Sequence, residues 1–197
     1  MKLYHSSNSP YARKVRVLII ERNLGDKVEV VAVDTSDTNG PLSKVNPLGK
    51  VPALETEDDG IVLDSLVICE YLDGYTKSAS SPGKVMDIHE KCFIAIGNGM
   101  LDVGYAARME SQRPENLKWQ TWKDKLFGKI NRTLDYLESI AHTIPSEATI
   151  GAIGLACALE WLQFRHPDGD WLSHRPKLSK WAVTFGQRPS MVDTRPV

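Results

Sequence analysis

The sequence predicts an α/β domain followed by an all-helical domain, and three observations carry that prediction. β-Branched and strand-like runs end at Leu63. Residues 76–84 (TKSASSPGK) are small and polar and are broken by Pro82 and Gly83, the composition of a linker. From Val85 onward only helical spacing is found, as in Trp119, Trp122, Leu126, Ile130, Leu134 and Leu137. The expected division is residues 1–76, a linker over 77–84, and a helical domain over 85–197.

Along the chain, Lys2–His5 is a short strand and Val28–Val33 a clear one, bounded by Gly25 and Asp34. Between them Ala12, Val15, Ile19 and Arg22 recur at helical spacing, with Ser9 as the N-cap and Pro10 as the first helical residue, where its missing N–H costs nothing. A Gly40-Pro41 break precedes a short helical piece that ends near Asn46, and Pro47-Leu48-Gly49-Lys50-Val51-Pro52 is loop. Ala53–Glu55 and Ile61–Leu63 flank the turn Glu57-Asp58-Asp59-Gly60 as a hairpin. Leu66, Ile68, Cys69 and Leu72 mark a helix from Ser65 to about Gly74, which completes the order βαβαββα. In the second half, prolines 114, 145, 167, 176 and 189 divide the chain into helices of ordinary length, and no internal repeat is visible. Trp119, Trp122, Trp161, Trp171 and Trp181 are expected in the core or between helices.

With 197 residues, 42% apolar and 25% charged, the chain can bury a core in each half, and a net charge of −1 does not suit a polyanion binder. The run Arg13-Lys14-Val15-Arg16 therefore reads as a solvated or interface face rather than a nucleic-acid patch. The stretch Ile150–Leu159 is half of the roughly 20 residues that span a bilayer, and no secretory signal opens the chain, so no membrane association and a cytoplasmic location are expected. Cys69, Cys92 and Cys157 form no CxxC pair and are expected as buried free thiols, with no metal site.

Four features converge on one ligand chemistry. Ser9-Pro10-Tyr11 puts a hydroxyl at a helix N-terminus, where free N–H groups and the dipole favour an anion. Alone, such a serine is usually only a cap. A proline at Val51-Pro52, expected to be cis, would turn the Val51 N–H and C=O outward to pair with a peptide; the plain alternative is a loop proline. Asp64-Ser65, otherwise a simple helix start, offers a carboxylate to an ammonium and a hydroxyl with first-turn N–H groups to a carboxylate. Lys50, which in isolation is a solvated lysine, would meet a second carboxylate. Together they suit a small zwitterionic peptide.

The run SPYARKVRVLI, the loop NPLGKVP, the DS pair opening a helix, the helical half and the closing GQRPSMVDTRP resemble a cytosolic-type glutathione transferase over essentially the whole chain. The resemblance implies a thioredoxin-like N-terminal domain, a helical C-terminal domain, a homodimer, glutathione as co-substrate and a role in detoxification. It also implies that Val51, before a cis Pro52, pairs with the cysteinyl backbone of glutathione. Asp64 and Ser65 would hold the γ-glutamyl end, Lys50 the glycyl carboxylate, and Ser9 would face the sulfur. Against the family's usual capping box ending in Asp, this chain has Ser146-Glu147-Ala148-Thr149, which would satisfy less of the helix end.

Serine is too weak an acid or base to take the thiol proton, so Ser9 would act as a donor that stabilises the thiolate against its free pKa of about 8.5. Tyr4 in the first strand and Asn8, Ser6 and Ser7 in the loop are rivals for that role. With no cysteine before Cys69, attack of the glutathione sulfur on a small electrophile is favoured over disulfide reductase chemistry. A glutathione-dependent peroxidase and a non-catalytic glutathione or ligand carrier are the alternatives. The helix expected from Val85 to Arg113 would wall the electrophile pocket, with Tyr105, Arg108 and Gln112 at i, i+3 and i+7, and Tyr11 from the first domain.

Overall fold

The computed structural model describes residues 1–76 and 87–196, so the expected linker at 77–84 lies outside the described residues. Met1–Asp87 with Arg188–Val197 forms one compact unit and Ile88–Gln187 the other.

In the first unit, β1 (Lys2–His5), α1 (Pro10–Glu21), β2 (Glu29–Ala32), α2 (Pro41–Val45), β3 (Ala53–Glu55), β4 (Ile61–Leu63) and α3 (Ser65–Thr76) follow the predicted order. The sheet runs β2-β1-β3-β4, with β1 parallel to β2 and antiparallel to β3, and β3 antiparallel to β4. Side chains alternate across it. Tyr4 and Ala53 are register partners on the face covered by Leu42 and Val45 of α2, so their neighbours Leu3 and Leu54, both fully buried, face the other way. α1 and α3 pack against each other, and their contact is tied at one end by the Arg22–Asp73 ion pair at 2.8 Å. Two boundaries differ from expectation. The Val28 N–H closes a turn onto Leu24 O rather than joining the ladder, and α3 continues through Gly74 to Thr76.

The second unit contains α4 (Ile88–Ser111), α5 (Gln120–Ser139), α6 (Ile150–Arg165) and α7 (Pro176–Gly186). Every residue of α6 from Ile150 to Leu159 is buried, together with Trp161 and Leu162, which makes α6 the core of the unit. Its first-turn N–H groups are satisfied by Thr149 Oγ1 at Ala152 N, 3.1 Å, and by Glu90 Oε1 at Gly151 N, 2.6 Å. Thr149 is thus itself the N-cap, and α4 supplies the acceptor that the local sequence lacks. α4 lies against α6 in the same direction. A methyl group at Gly97 would sit 3.0 Å from the Gly154 carbonyl carbon, and two turns on, one at Gly104 would sit 3.0 Å from the Trp161 ring. His166 is buried among Phe127, Trp161 and Trp171, with Nε2 3.1 Å from Gly104 O.

The sequence placed all of 85–197 in the helical domain, yet the last segment belongs with the first unit. Its short helix α8 (Pro189–Val192) packs on α1. Arg13, 2% exposed, donates to Met191 O at 3.0 Å and Thr194 Oγ1 at 3.3 Å, while Glu21 on the same helix takes Arg188 at 3.2 Å. Of the two readings of the basic run, solvated or interface, the solvated one fails for Arg13 and Lys14, which are buried, Arg13 against the final segment. Two further expectations fail. Cys92 is exposed, unlike Cys69 and Cys157, and Trp119 is 58% exposed, stacked on Trp122 just ahead of α5.

Because the Gly97 contact is backbone to backbone, Gly97→Ala should cost about 1–3 kcal/mol in urea unfolding, although alanine is the better helix former. Stability should also fall on mild acidification. Burial lowers the pKa of His166, and burial followed by the Arg16 charge lowers that of His5, from the ordinary 6.5. The neutral rings therefore contribute fully above about 6.5, and that contribution is lost as pH drops toward the folded-state values. Urea midpoints at pH 7.5 and about 5.5 check the sign.

Candidate functional site

The register brings three loops to one end of the sheet. Tyr4 pairs with Ala53 and Ala53 with Leu63, so the C-terminal end of β1, the start of β3 and the end of β4 lie side by side. From these ends the chain runs into Ser6–Ser9, out of Asn46–Pro52, and into Asp64-Ser65. The predicted residues Ser9, Lys50, Val51, Pro52, Asp64 and Ser65 are thereby collected at one edge of one unit.

Ser9 caps α1 as expected: its φ of −80° and ψ of 117° are extended, and its Oγ accepts the Ala12 N–H at 3.2 Å. Accepting that bond leaves the hydroxyl proton free to donate, and it meets no acceptor among the described residues. Tyr4 is differently placed. Its hydroxyl donates to Glu55 Oε2 at 2.8 Å, and that bond, then burial, raises its pKa above 10.0. A phenol committed to a carboxylate has neither a free proton nor a phenolate to offer.

The Val51–Pro52 bond is cis, and neither the N–H nor the C=O of Val51 is hydrogen-bonded within the described residues. The loop around it is held by Asn46, a residue that sequence reasoning passed over. Asn46 is 3% exposed, gives Nδ2–H to Lys50 O at 2.7 Å and accepts the Leu48 N–H at 3.0 Å, while Gly49 takes a φ of +61°. An asparagine just before a Pro-X-Gly turn was the available signal. Lys50 itself is exposed.

Asp64 adopts φ +72°, the left-handed region that costs a non-glycine residue about 1 kcal/mol or more. It is held there as the start of α3: its carbonyl accepts Ile68 N–H at 2.9 Å and its Oδ1 accepts Leu66 N–H at 2.7 Å. Ser65, 4% exposed, has no hydrogen-bond partner for its hydroxyl among the described residues. The edge thus presents donors from Ser9 and Ser65, a peptide unit from Val51 and a carboxylate from Asp64. Tyr11 lies near Ser9 in sequence with the Lys14 ammonium 5.6 Å from its ring. In the helical unit, Tyr105 is 49% exposed, Arg108 is half-buried, and Gln112 follows the last residue of α4.

Family models for the glutathione S-transferase N-terminal domain and C-terminal domain match residues 3–77 and 120–182. The chain belongs to the glutathione S-transferase family. It is 31% identical over its full length, and 98% of the relative's, to the uncharacterized GST-like protein YibF of Escherichia coli. Among solved structures it is similar to a glutathione transferase family member from Pseudomonas fluorescens Pf-5 with bound glutathione, at 35% identity and TM-score 0.90, covering 100% of this chain and 98% of that one. It is equally similar in sequence, with TM-score 0.87 and full coverage of both chains, to a structure from the same source holding S-(propanoic acid)-glutathione. The thioredoxin-like first unit and the helical second unit are those of this family. No helix among the described residues is long and apolar enough to cross a membrane.

The strain at position 64 is testable. Asp64→Gly loses the cap but relieves the left-handed backbone, whereas Asp64→Ala loses the cap and keeps the strain. In urea unfolding the glycine variant should be more stable than the alanine variant by about 1 kcal/mol.

Proposed function

We propose that the protein is a glutathione transferase in which Ser9 stabilises the thiolate of bound glutathione for attack on a small electrophile. The observation that carries this reading is the uncommitted hydroxyl proton of Ser9, at the N-terminus of α1 beside an unpaired Val51 peptide edge. In this reading the Val51 N–H and C=O pair with the cysteinyl backbone. Asp64 takes the γ-glutamyl ammonium, Ser65 with the first N–H groups of α3 takes its carboxylate, and Lys50 takes the glycyl carboxylate.

Ser9 has no means of removing a proton at neutral pH, so its part is electrostatic. A hydroxyl donor and the dipole of α1 lower the thiol pKa, and the proton leaves to solvent. The thiolate pair then forms an S–C bond, while a leaving group departs with its electrons or an activated alkene shifts its π pair to the adjacent carbon, which takes a proton from water. The Pseudomonas relative's conjugate, a glutathione bearing propanoic acid, is a product of that bond type and supports this reading over the disulfide reductase and peroxidase alternatives, as does serine at position 9. We further infer a homodimer acting in the cytoplasm, as the family resemblance implies; sedimentation of the purified protein tests the oligomeric state.

Ser9→Ala should raise the pKa of bound glutathione by about one unit and lower turnover at neutral pH about tenfold, with little change in glutathione affinity. Ultraviolet difference absorbance of the thiolate against pH follows this directly. Superimposable titrations of parent and variant would remove Ser9 from the mechanism and turn attention to Asn8. Binding of glutathione without turnover on any electrophile would establish a carrier instead.

A further inference from the structure

Two arginines in the helical unit stand close together without a counter-ion. The contacts of Gly97 with Gly154 and of Gly104 with Trp161 fix α4 and α6 in one parallel register. Arg108 and Arg165 lie one turn beyond Gly104 and Trp161, so the same register sets them side by side at the ends of the two helices. Both are half-buried, and neither side chain forms a hydrogen bond or ion pair with any described residue. The Arg165 guanidinium lies over the Phe164 ring, 4.4 Å from its centroid. Burial, and after it the Arg108 charge, both act against the cationic form of Arg165, and Arg108 and Lys123 also act against a charge on His166. Arginine does not answer by losing its proton.

Cations in the last turn of a helix are favoured by the dipole, but that offers about half a charge per helix against two full ones. A surplus of positive charge on partly buried groups remains. The nearby carboxylate of Glu110 does not offset it, being committed to Trp119 N–H at 2.7 Å and Arg113 at 3.4 Å. Guanidinium forks match planar oxyanions, and stacking on Phe164 orients one of them while leaving its N–H edge free. Tyr105, one turn before Arg108, is 49% exposed and adds an aromatic surface to the same end of α4.

We propose that Arg108 and Arg165 form a carboxylate-binding subsite on the helical unit, where a planar carboxylate is held by the arginine pair beside an aromatic flank. Arg108 was singled out in the sequence for its place on α4; Arg165 becomes visible only once α4 and α6 are in register.

The test uses the intact protein and reads binding by tryptophan fluorescence, with benzoate and benzamide as probes that differ by one negative charge. The parent should bind benzoate more tightly, and the preference should shrink as salt is added. Arg108→Gln and Arg165→Gln should each weaken benzoate binding about tenfold, with Arg165→Lys losing less. Equal binding of both probes by the parent, or a preference for benzoate unchanged in both glutamine variants with circular dichroism like the parent's, overturns the subsite. If the glutamine variants fail to fold, the salt dependence of the parent and the behaviour of Arg165→Lys decide instead.

Discussion

The pairing of Tyr4 with Ala53 and of Ala53 with Leu63 is the constraint on which the candidate site depends. Those residues belong to strands of three or four residues, yet their register decides that three separate loops emerge at one edge. Side-chain period fixes that register: a slip of β1 by one residue would exchange the faces of Leu3 and Tyr4, turning the phenol toward the side where Leu54 is fully buried. The bond from Tyr4 to Glu55 adds to the penalty for slipping, since the phenol would lose its acceptor in a buried place. A residue that first reads as a rival for catalysis is thus better understood as a register pin.

Most of that edge was legible in the sequence because its signals are local. Ser9-Pro10 specifies a cap and a first helical residue whatever surrounds it, and the turn at 57–60 between two apolar triplets specifies a hairpin. What was not legible was set by contacts distant along the chain. Arg13 and Lys14 look like solvated residues by type, and only the return of the final segment onto α1 buries Arg13 against Met191 and Thr194. Thr149 looked like a weak substitute within a capping box because the acceptor for Gly151 comes from Glu90 on another helix. Trp119 belonged to the helical period by spacing, but it precedes α5 as its N-cap and its ring lies outside the buried stripe.

The same edge departs from what stability alone would select. Val51 leaves both its peptide groups unpaired, Ser65 holds an uncommitted hydroxyl in a buried position, and Asp64 keeps a left-handed backbone where glycine would sit without strain. The backbone strain at Asp64 is unfavourable by about 1 kcal/mol or more, and the three features occur within fifteen or so positions of one another. Local rules broken together in one place are in keeping with the proposed peptide site, since a bound peptide would pair the edge, accept from Ser65 and use the Asp64 carboxylate.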